Sequence, residues 1–412
     1  MGPITLFDKS FLQSLSLDEA VFFDHFFYTN TCPIFYVETL ADLDKVVRSG
    51  RTPEEEVRIL ADKTPQMSGN VNVFHRDTCI GDLLGNTPPM EGQILIPGGR
   101  PVRHGNQSGI VFEEAPEERA FRRWRDHKFT EVEHDFARVW RGMLGSVDNG
   151  ILARALRELG LRPGRCKTLE DAKDIAERLI QDSNNPESRI RLTLWLLGIP
   201  GQFRKEILLR WTLEEKPTLV RFAPYASFVL SVKVFFQIAR AAELISQKPS
   251  AIMDISYLFY LPFCMVFTSS DKLHKRCAPL FLRSDQEFIA GKDLRLDLSR
   301  IVEHFNAFPE GEKEKGLYAI ATRPPDEAPL TSRLWDRFLP NWPKSETGPV
   351  ERDRVKNEYL VNYIKSFAEA PRLRPEEVDF DLHNPDSAIV ERRVSKRRGN
   401  WWQLPKDLRE KD

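Results

Sequence analysis

The chain has 412 residues and a formal net charge of −1. That length allows two or three domains, and the near-neutral balance excludes wholesale electrostatic capture of nucleic acid, so any such contact must come from local patches. An apolar content of 41% and a charged content of 29% exclude a disordered or fibrous chain.

In chain order, Ile4-Thr5-Leu6-Phe7 reads as a strand running into Asp8. The N-terminus lacks a basic region followed by an apolar run, so no secretory signal is expected. Ser16 and Glu19 have capping-box spacing and open a helix rich in Phe22, Phe23, Phe26 and Phe27. Asn30 and Pro33 stop it, and Pro33-Ile34-Phe35-Tyr36-Val37 reads as a second strand running into Glu38. A helix follows to about Gly50, and Thr52-Pro53-Glu54-Glu55 starts another, with proline at its favoured first position.

Between Thr64 and Glu114, Gly, Pro and Asn become frequent. Short β-like runs stand at Gln93–Ile96 and Gly109–Phe112. From Ala115 to about Ile245 the pattern is helical, with breaks at Ser146–Gly150, Arg162–Gly164, Ser183–Pro186 and Gly198–Gly201. The most apolar stretch, Leu219 to Leu244, carries Arg221, Lys233 and Arg240, which a bilayer would penalise. It reads as a core helix, and no membrane partner is expected. Ser250 to Tyr260 forms a short helix ended near Pro262, and Leu261 to Phe267 the next strand. This strand leads through Thr268, Ser269 and Ser270 to Asp271. Lys292–Leu298 alternates and reads as an edge strand. Beyond about residue 306 the chain is rich in Pro and charge, an extension with one helix near Val355 to Ala368.

Five scattered cysteines (Cys32, Cys79, Cys166, Cys264, Cys277) without CxxC spacing give neither a zinc site nor a disulfide framework. They suit a reducing cytoplasm.

Asp8, Glu38 and Asp271 each follow an apolar run, and Asp254 lies on the short helix before the third strand. Open α/β sheets bind ligands beyond the carboxyl ends of parallel strands. If these strands are neighbours, the four acids converge. Like charges brought together repel, and a hard cation such as Mg²⁺ or Mn²⁺ relieves the repulsion through oxygen ligands. The bland alternative makes each acid a helix cap or first-turn residue.

Phe7-Asp8-Lys9-Ser10, the run Cys32 to Leu43 and the run Asp254 to His274 together resemble PIN-domain nucleases. Asp8, Glu38, Asp254 and Asp271 fall in the order of that family's four acids, and Ser269-Ser270 precede the last one. The resemblance covers roughly residues 1–50 and 250–300. It departs from the family where residues 39–253 separate the second and third acids.

The implied fold is α/β: a PIN-like parallel sheet flanked by helices and interrupted by a mostly helical insertion. The implied division is core at 1–50 and 246–305, an irregular β-containing insertion at 51–114, a helical insertion at 115–245 and an extension at 306–412. The implied activity is metal-dependent endonucleolytic hydrolysis of phosphodiesters, of RNA, leaving a 5′-phosphate and a 3′-hydroxyl. Asp8, Glu38, Asp254 and Asp271 would be catalytic ligands of Mg²⁺ or Mn²⁺, with Ser269, Ser270 and Lys9 near the phosphate. The rival reading is a catalytically silent PIN-like module that binds nucleic acid or a protein partner, and a protein regulator is compatible with either.

Outside the acids, Arg392, Arg393, Lys396, Arg397 and Arg398 precede Trp401-Trp402. Arg397 and Trp401 are candidates for nucleic-acid contact, unless the tryptophans dock the tail on the core. The basic run Arg119–Lys128 around Trp124 is either a phosphate track or a salt-bridged face. His127, Glu131 and His134 have the spacing of one helix face. His274, three residues past Asp271, is either a supporting residue of the site or a surface-loop histidine.

Overall fold

The structure, a computed structural model, describes residues 2–45, 50–145, 166–181, 186–248, 250–342, 354–382, 385–404 and 406–409. Its frame is a five-stranded sheet in which every pairing is parallel. β1 (Ile4–Phe7) is central and leads into α1 (Lys9–Ser14). α2 (Leu17–Phe26) follows, with the Ser16/Glu19 capping box formed. It buries Phe22, Phe23 and Phe26 and returns the chain to β2 (Tyr28–Thr31).

Here the sequence expectation fails in type. Pro33–Val37 does not form a strand; it opens α3 (Pro33–Leu40). Proline at the first helical position costs no hydrogen bond and presets φ, and a short apolar run cannot distinguish a buried helix from a strand. The strand is instead the polar Tyr-Thr-Asn-Thr just upstream. Glu38 therefore sits on a helix.

α4 (Pro53–Lys63) carries the expected capping box at Thr52/Glu55, and β3 (Gly69–Val71) pairs with β2. The main sheet thus draws an edge strand from the stretch 51–114. α5 (His75–Leu83) follows. Gln93–Ile96 forms no strand, whereas β4 (Arg100–His104) and β5 (Gln107–Phe112) make an antiparallel hairpin.

Helices then dominate: α6 (Pro116–Arg125), α7 (Glu131–Gly145), α8 (Leu169–Gln181), α9 (Pro186–Leu196), α10 (Gly201–Leu213), α11 (Leu219–Phe222) and α12 (Pro224–Ala241). The breaks expected at Ser146–Gly150, Arg162–Gly164 and Ser183–Asn185 lie outside the described residues. The break at Gly198–Gly201 separates α9 from α10. α12 is the expected core helix, and Asp82 of α5 ties it down by accepting the Ala226 N–H at 3.0 Å. Among the described residues, no helix is long and apolar enough to cross a membrane.

α13 (Ala251–Ser256) runs straight into a 3₁₀ stretch, Tyr257–Phe263, that contains Pro262. The third strand, β6, is therefore shorter and later than expected, Val266–Ser269. α14 (Lys272–Cys277), β7 (Glu287–Ala290) and α15 (Gly291–Asn306) complete the main sheet and its cover. Lys292–Leu298 belongs to α15 rather than to an edge strand. Leu294, Leu298, Ile301 and Phe305 are buried while Leu296 is 57% exposed, so the helical period wins over the alternation.

In the C-terminal part, α16 (Pro329–Phe338) packs Trp335 on Phe26. α17 (Arg354–Glu369) sets Phe367 against Val102 and Val111 of the β4–β5 hairpin. β8 (Ser387–Val390) extends that hairpin in parallel with β5. Gly109 is required there, because a Cβ would lie 2.2 Å from the Phe367 ring.

A short antiparallel hairpin of β9 (Arg397–Arg398) and β10 (Trp401–Trp402) follows. It is held by charge as well as by rings. Asp24 of α2, fully buried, accepts N–H groups from Gln66, Met67 and Ser68 at 2.7–3.0 Å and the Arg398 guanidinium at 2.7 Å. Arg398 also donates to the carbonyls of Asp62 and Thr64, each at 2.9 Å.

Removing one partner of a buried ion pair leaves an uncompensated charge. Arg398→Met is expected to lower unfolding free energy by about 3–5 kcal/mol, read from urea denaturation; a loss below ~1 kcal/mol would show that this anchor carries little of the stability.

Candidate functional site

The chain builds the sheet outward from β1 in two directions, β2 and β3 on one side, β6 and β7 on the other. The order reverses between β1 and β6, where the connections diverge and leave a crevice at the carboxyl ends. Phe7 is in register with Thr268, so Asp8 and Ser269 stand next to each other across it. The Asp8 N–H donates to Thr268 O at 3.4 Å.

Asp8 is the N-cap of α1: its Oδ1 accepts the Phe11 N–H at 2.9 Å and its Oδ2 the Ser10 hydroxyl at 2.5 Å. Asp271 caps α14 through the Leu273 N–H at 2.6 Å. Two of the four acids are thus helix caps and Asp254 stands in the first turn of α13, as the bland alternative holds for all three, and both caps face the same crevice.

His274 fills the crevice between them and is 1% exposed. Its Nε2 lies 2.6 Å from the Asp254 carbonyl, so this nitrogen carries a proton. Its Nδ1 lies 2.7 Å from Ser269 Oγ and 3.5 Å from Asp8 Oδ2. Ser269 Oγ also accepts the Asp271 N–H at 2.9 Å. Burial disfavours the imidazolium, but the hydrogen bond and charge of Asp8, with the Asp254 carbonyl, outweigh it and hold His274 above the ordinary histidine range. The converse holds for Asp8: burial raises its carboxyl, and His274, Ser10 and the Phe11 N–H bring it below its usual value. Of the two expectations for His274, the supporting position is the one realised.

Glu38 comes to the site from α3. Its Oε2 accepts the Tyr257 hydroxyl at 2.7 Å, and Lys9 donates to its backbone carbonyl at 3.0 Å. Burial raises Glu38, opposed by Lys9 and Tyr257 and reinforced by Asp8 and Asp42. Lys9 is buried and forms an ion pair with Asp42 at 2.6 Å. It is therefore a neutralising strut for α3 rather than a solvated side chain.

Asp254 carries the strain of the cluster. Burial first, then repulsion from Asp271, Glu38 and Asp8, push its carboxyl up to about 7 against the opposing charge of His274. Asp254 thus feels the other three acids, and Glu38 feels Asp8. They do not stand within coordination distance of a common point: among the described residues, no group of three or more His, Cys, Asp or Glu side chains is placed to hold a metal ion.

Ser269 is buried and consumed by its two bonds, while Ser270 is exposed. A Cβ at Gly291 would fall 2.3 Å from Ser270 Oγ, so this glycine keeps the rim open. Arg397 is exposed and lies 5.3 Å from the Trp402 ring centre. Trp401 is 1% exposed and packs on Phe22 at 4.9 Å, which makes it a docking residue of the tail and not a stacking platform. The Arg119–Lys128 run is salt-bridged, Arg122 to Glu114 and Arg123 to Glu133, around a buried Trp124. His127 lies outside the helix with φ +56°, so it shares no helix face with Glu131 and His134. Sequence reasoning missed Tyr257; its position three residues past Asp254, on the same helical run, was the available signal.

Comparison with protein-family models, with curated proteins and with solved structures finds no match.

Because the Asp254 carboxyl is raised when folded, the folded state holds a proton that the unfolded chain releases. The penalty is absent below the unfolded value near 4, grows as pH rises to about 7 and is constant above that. Asp254→Asn removes it. The variant is expected to melt at higher temperature than the parent at pH 8, with the difference shrinking toward pH 4.5, and the slope between these limits is no steeper than about 1.4 kcal/mol per pH unit. Melting curves across that range check it; a difference independent of pH would refute the assignment.

Proposed function

We propose that the chain is a metal-dependent endonuclease with a PIN-like core, hydrolysing phosphodiester bonds of RNA. The observation that carries this reading is the electrostatic coupling of Asp8, Glu38, Asp254 and Asp271 at the point where the strand order of a parallel sheet reverses. An all-oxygen, net-negative donor set suits Mg²⁺ or Mn²⁺, and the Asp254 carboxyl is raised by burial first and then by the charges of Asp271, Glu38 and Asp8. The carboxylates would have to draw together to hold the ion, and Glu38 would have to give up its bond from the Tyr257 hydroxyl.

When bound, such a cation lowers the pKa of water and offsets charge on the phosphate. The protein's own groups do the rest. Asp254 would hold the cation together with Asp8, Glu38 and Asp271, and the ion's charge would offset the repulsion that these acids exert on it. His274 holds the Asp254 backbone and the Asp8 carboxylate at fixed positions. Ser270 at the open rim donates to the phosphate.

A second reading, a silent module that binds nucleic acid or a protein, is favoured by one observation: His274 already compensates Asp8. Labelled single-stranded and hairpin RNAs separate the two. With Mg²⁺ or Mn²⁺ the parent is expected to cleave, and Asp254→Asn and Asp271→Asn to fall by at least ~100-fold. The same ions should raise the melting temperature of the parent and not of Asp254→Asn. Cleavage that persists in both variants and in chelator would refute the site; RNA binding without metal-dependent turnover in the parent would establish the silent module.

A further inference from the structure

A second chemically distinctive place lies behind the acids, on the other side of α13. A cavity of about 230 Å³ is lined by Ile252 of α13, Phe259 of the 3₁₀ stretch, Lys233, Phe236 and Gln237 of α12 and His75 of α5. Most of this wall is hydrocarbon, and Lys233 is the cation in it. Its ammonium donates to the Leu196 carbonyl at the end of α9, at 3.3 Å, and lies 5.8 Å from the Phe259 ring centre. The side chains that act on it electrostatically are Cys79, whose thiol burial holds protonated, and the cationic Arg76. No carboxylate pairs with it among the described residues.

Lys233 is half-buried, and an ammonium set among apolar groups with one carbonyl and one ring is under-compensated. Burial, with Arg76, accordingly lowers its pKa. Its neighbour on the cavity wall is the neutral His75, which burial brings down to about 3. The Tyr260 hydroxyl accepts the His75 backbone N–H at 3.0 Å and lies 3.5 Å from Nδ1, and the neutral ring carries one N–H donor. With the Gln237 amide, the wall therefore offers one cation and two neutral donors.

We propose that this cavity is a binding site for a small aryl monocarboxylate. The carboxylate would sit on Lys233, with His75 and Gln237 as further donors, and the ring between Phe236, Ile252 and Phe259. A single carboxylate matches a single ammonium, whereas a phosphate dianion would remain half-compensated. Size agrees: a cavity of ~150 Å³ accepts benzene, so the larger volume here takes a ring with a short acidic arm. This assignment is independent of the reaction at the carboxylates.

Calorimetric titration of the full chain with phenylacetate tests it, with phenylacetamide as the uncharged isostere. Phenylacetate is expected to bind saturably and at least about tenfold tighter than the amide. Lys233→Met, an apolar side chain of similar length, should lose at least about tenfold in affinity for phenylacetate while Lys233→Arg retains it. Ile252→Phe, which fills the cavity from α13, should abolish binding. Equal affinity for acid and amide would overturn the proposal, as would unchanged binding in Lys233→Met or in Ile252→Phe. Should Lys233→Met fail to fold, the comparison of acid with amide and the Ile252→Phe variant still decide.

Discussion

A buried imidazole joins three segments that are far apart in the chain. His274 reaches the Asp254 carbonyl on α13, Ser269 at the end of β6 and Asp8 at the end of β1. Each contact satisfies a polar group that the closing of the sheet removes from water, and an unsatisfied group there would cost the full desolvation penalty. The arrangement also sets charge. His274 and Asp8 stabilise each other's ionised form, so the deepest acid is compensated from inside the protein. Asp254 is raised to about 7 by burial first, and then by the charges of Asp271, Glu38 and Asp8.

The contrast with Asp24 shows what compensation means in this molecule. Asp24 is fully buried where Asp254 is half-buried, yet three backbone N–H groups and Arg398 surround it. That carboxylate is structural: it fixes the loop before β3 and draws the C-terminal hairpin onto α2. Asp254 has no comparable set of donors, and three like charges act on it. Buried acids with full donor shells hold folds together, whereas under-compensated acids in a crevice are where chemistry is expected. Lys9 with Asp42 belongs to the structural kind, and it positions α3 so that Glu38 enters the crevice.

The path from β3 to β6 runs through residues 72–265 before returning to the sheet beside β1. This long path supplies α12, which packs along α8, α5 and the 3₁₀ stretch. The sheet therefore gains a second layered structure on the far side of α13. The thin segment from Ala251 to Phe263 separates the acidic crevice from the cavity of Lys233, with Asp254 and Tyr257 facing one and Ile252 and Phe259 the other. A helix with two such faces couples the packing of both.

Local signals in the chain were sufficient for the capping boxes at Ser16/Glu19 and Thr52/Glu55, for β1 and for the core helix at 224–241, because capping and apolar period act over a few neighbours. They were insufficient where two structures share one local pattern. Pro33–Val37 and Lys292–Leu298 read as strands and became helices, since the choice depends on which side chains find a core, as Leu294 and Leu298 do while Leu296 stays out. The partners of His274, the burial of Lys9 and the docking of Trp401 were decided only in three dimensions. Each depends on contacts between residues separated by most of the chain, and the desolvation that sets their charge exists only once those contacts have formed.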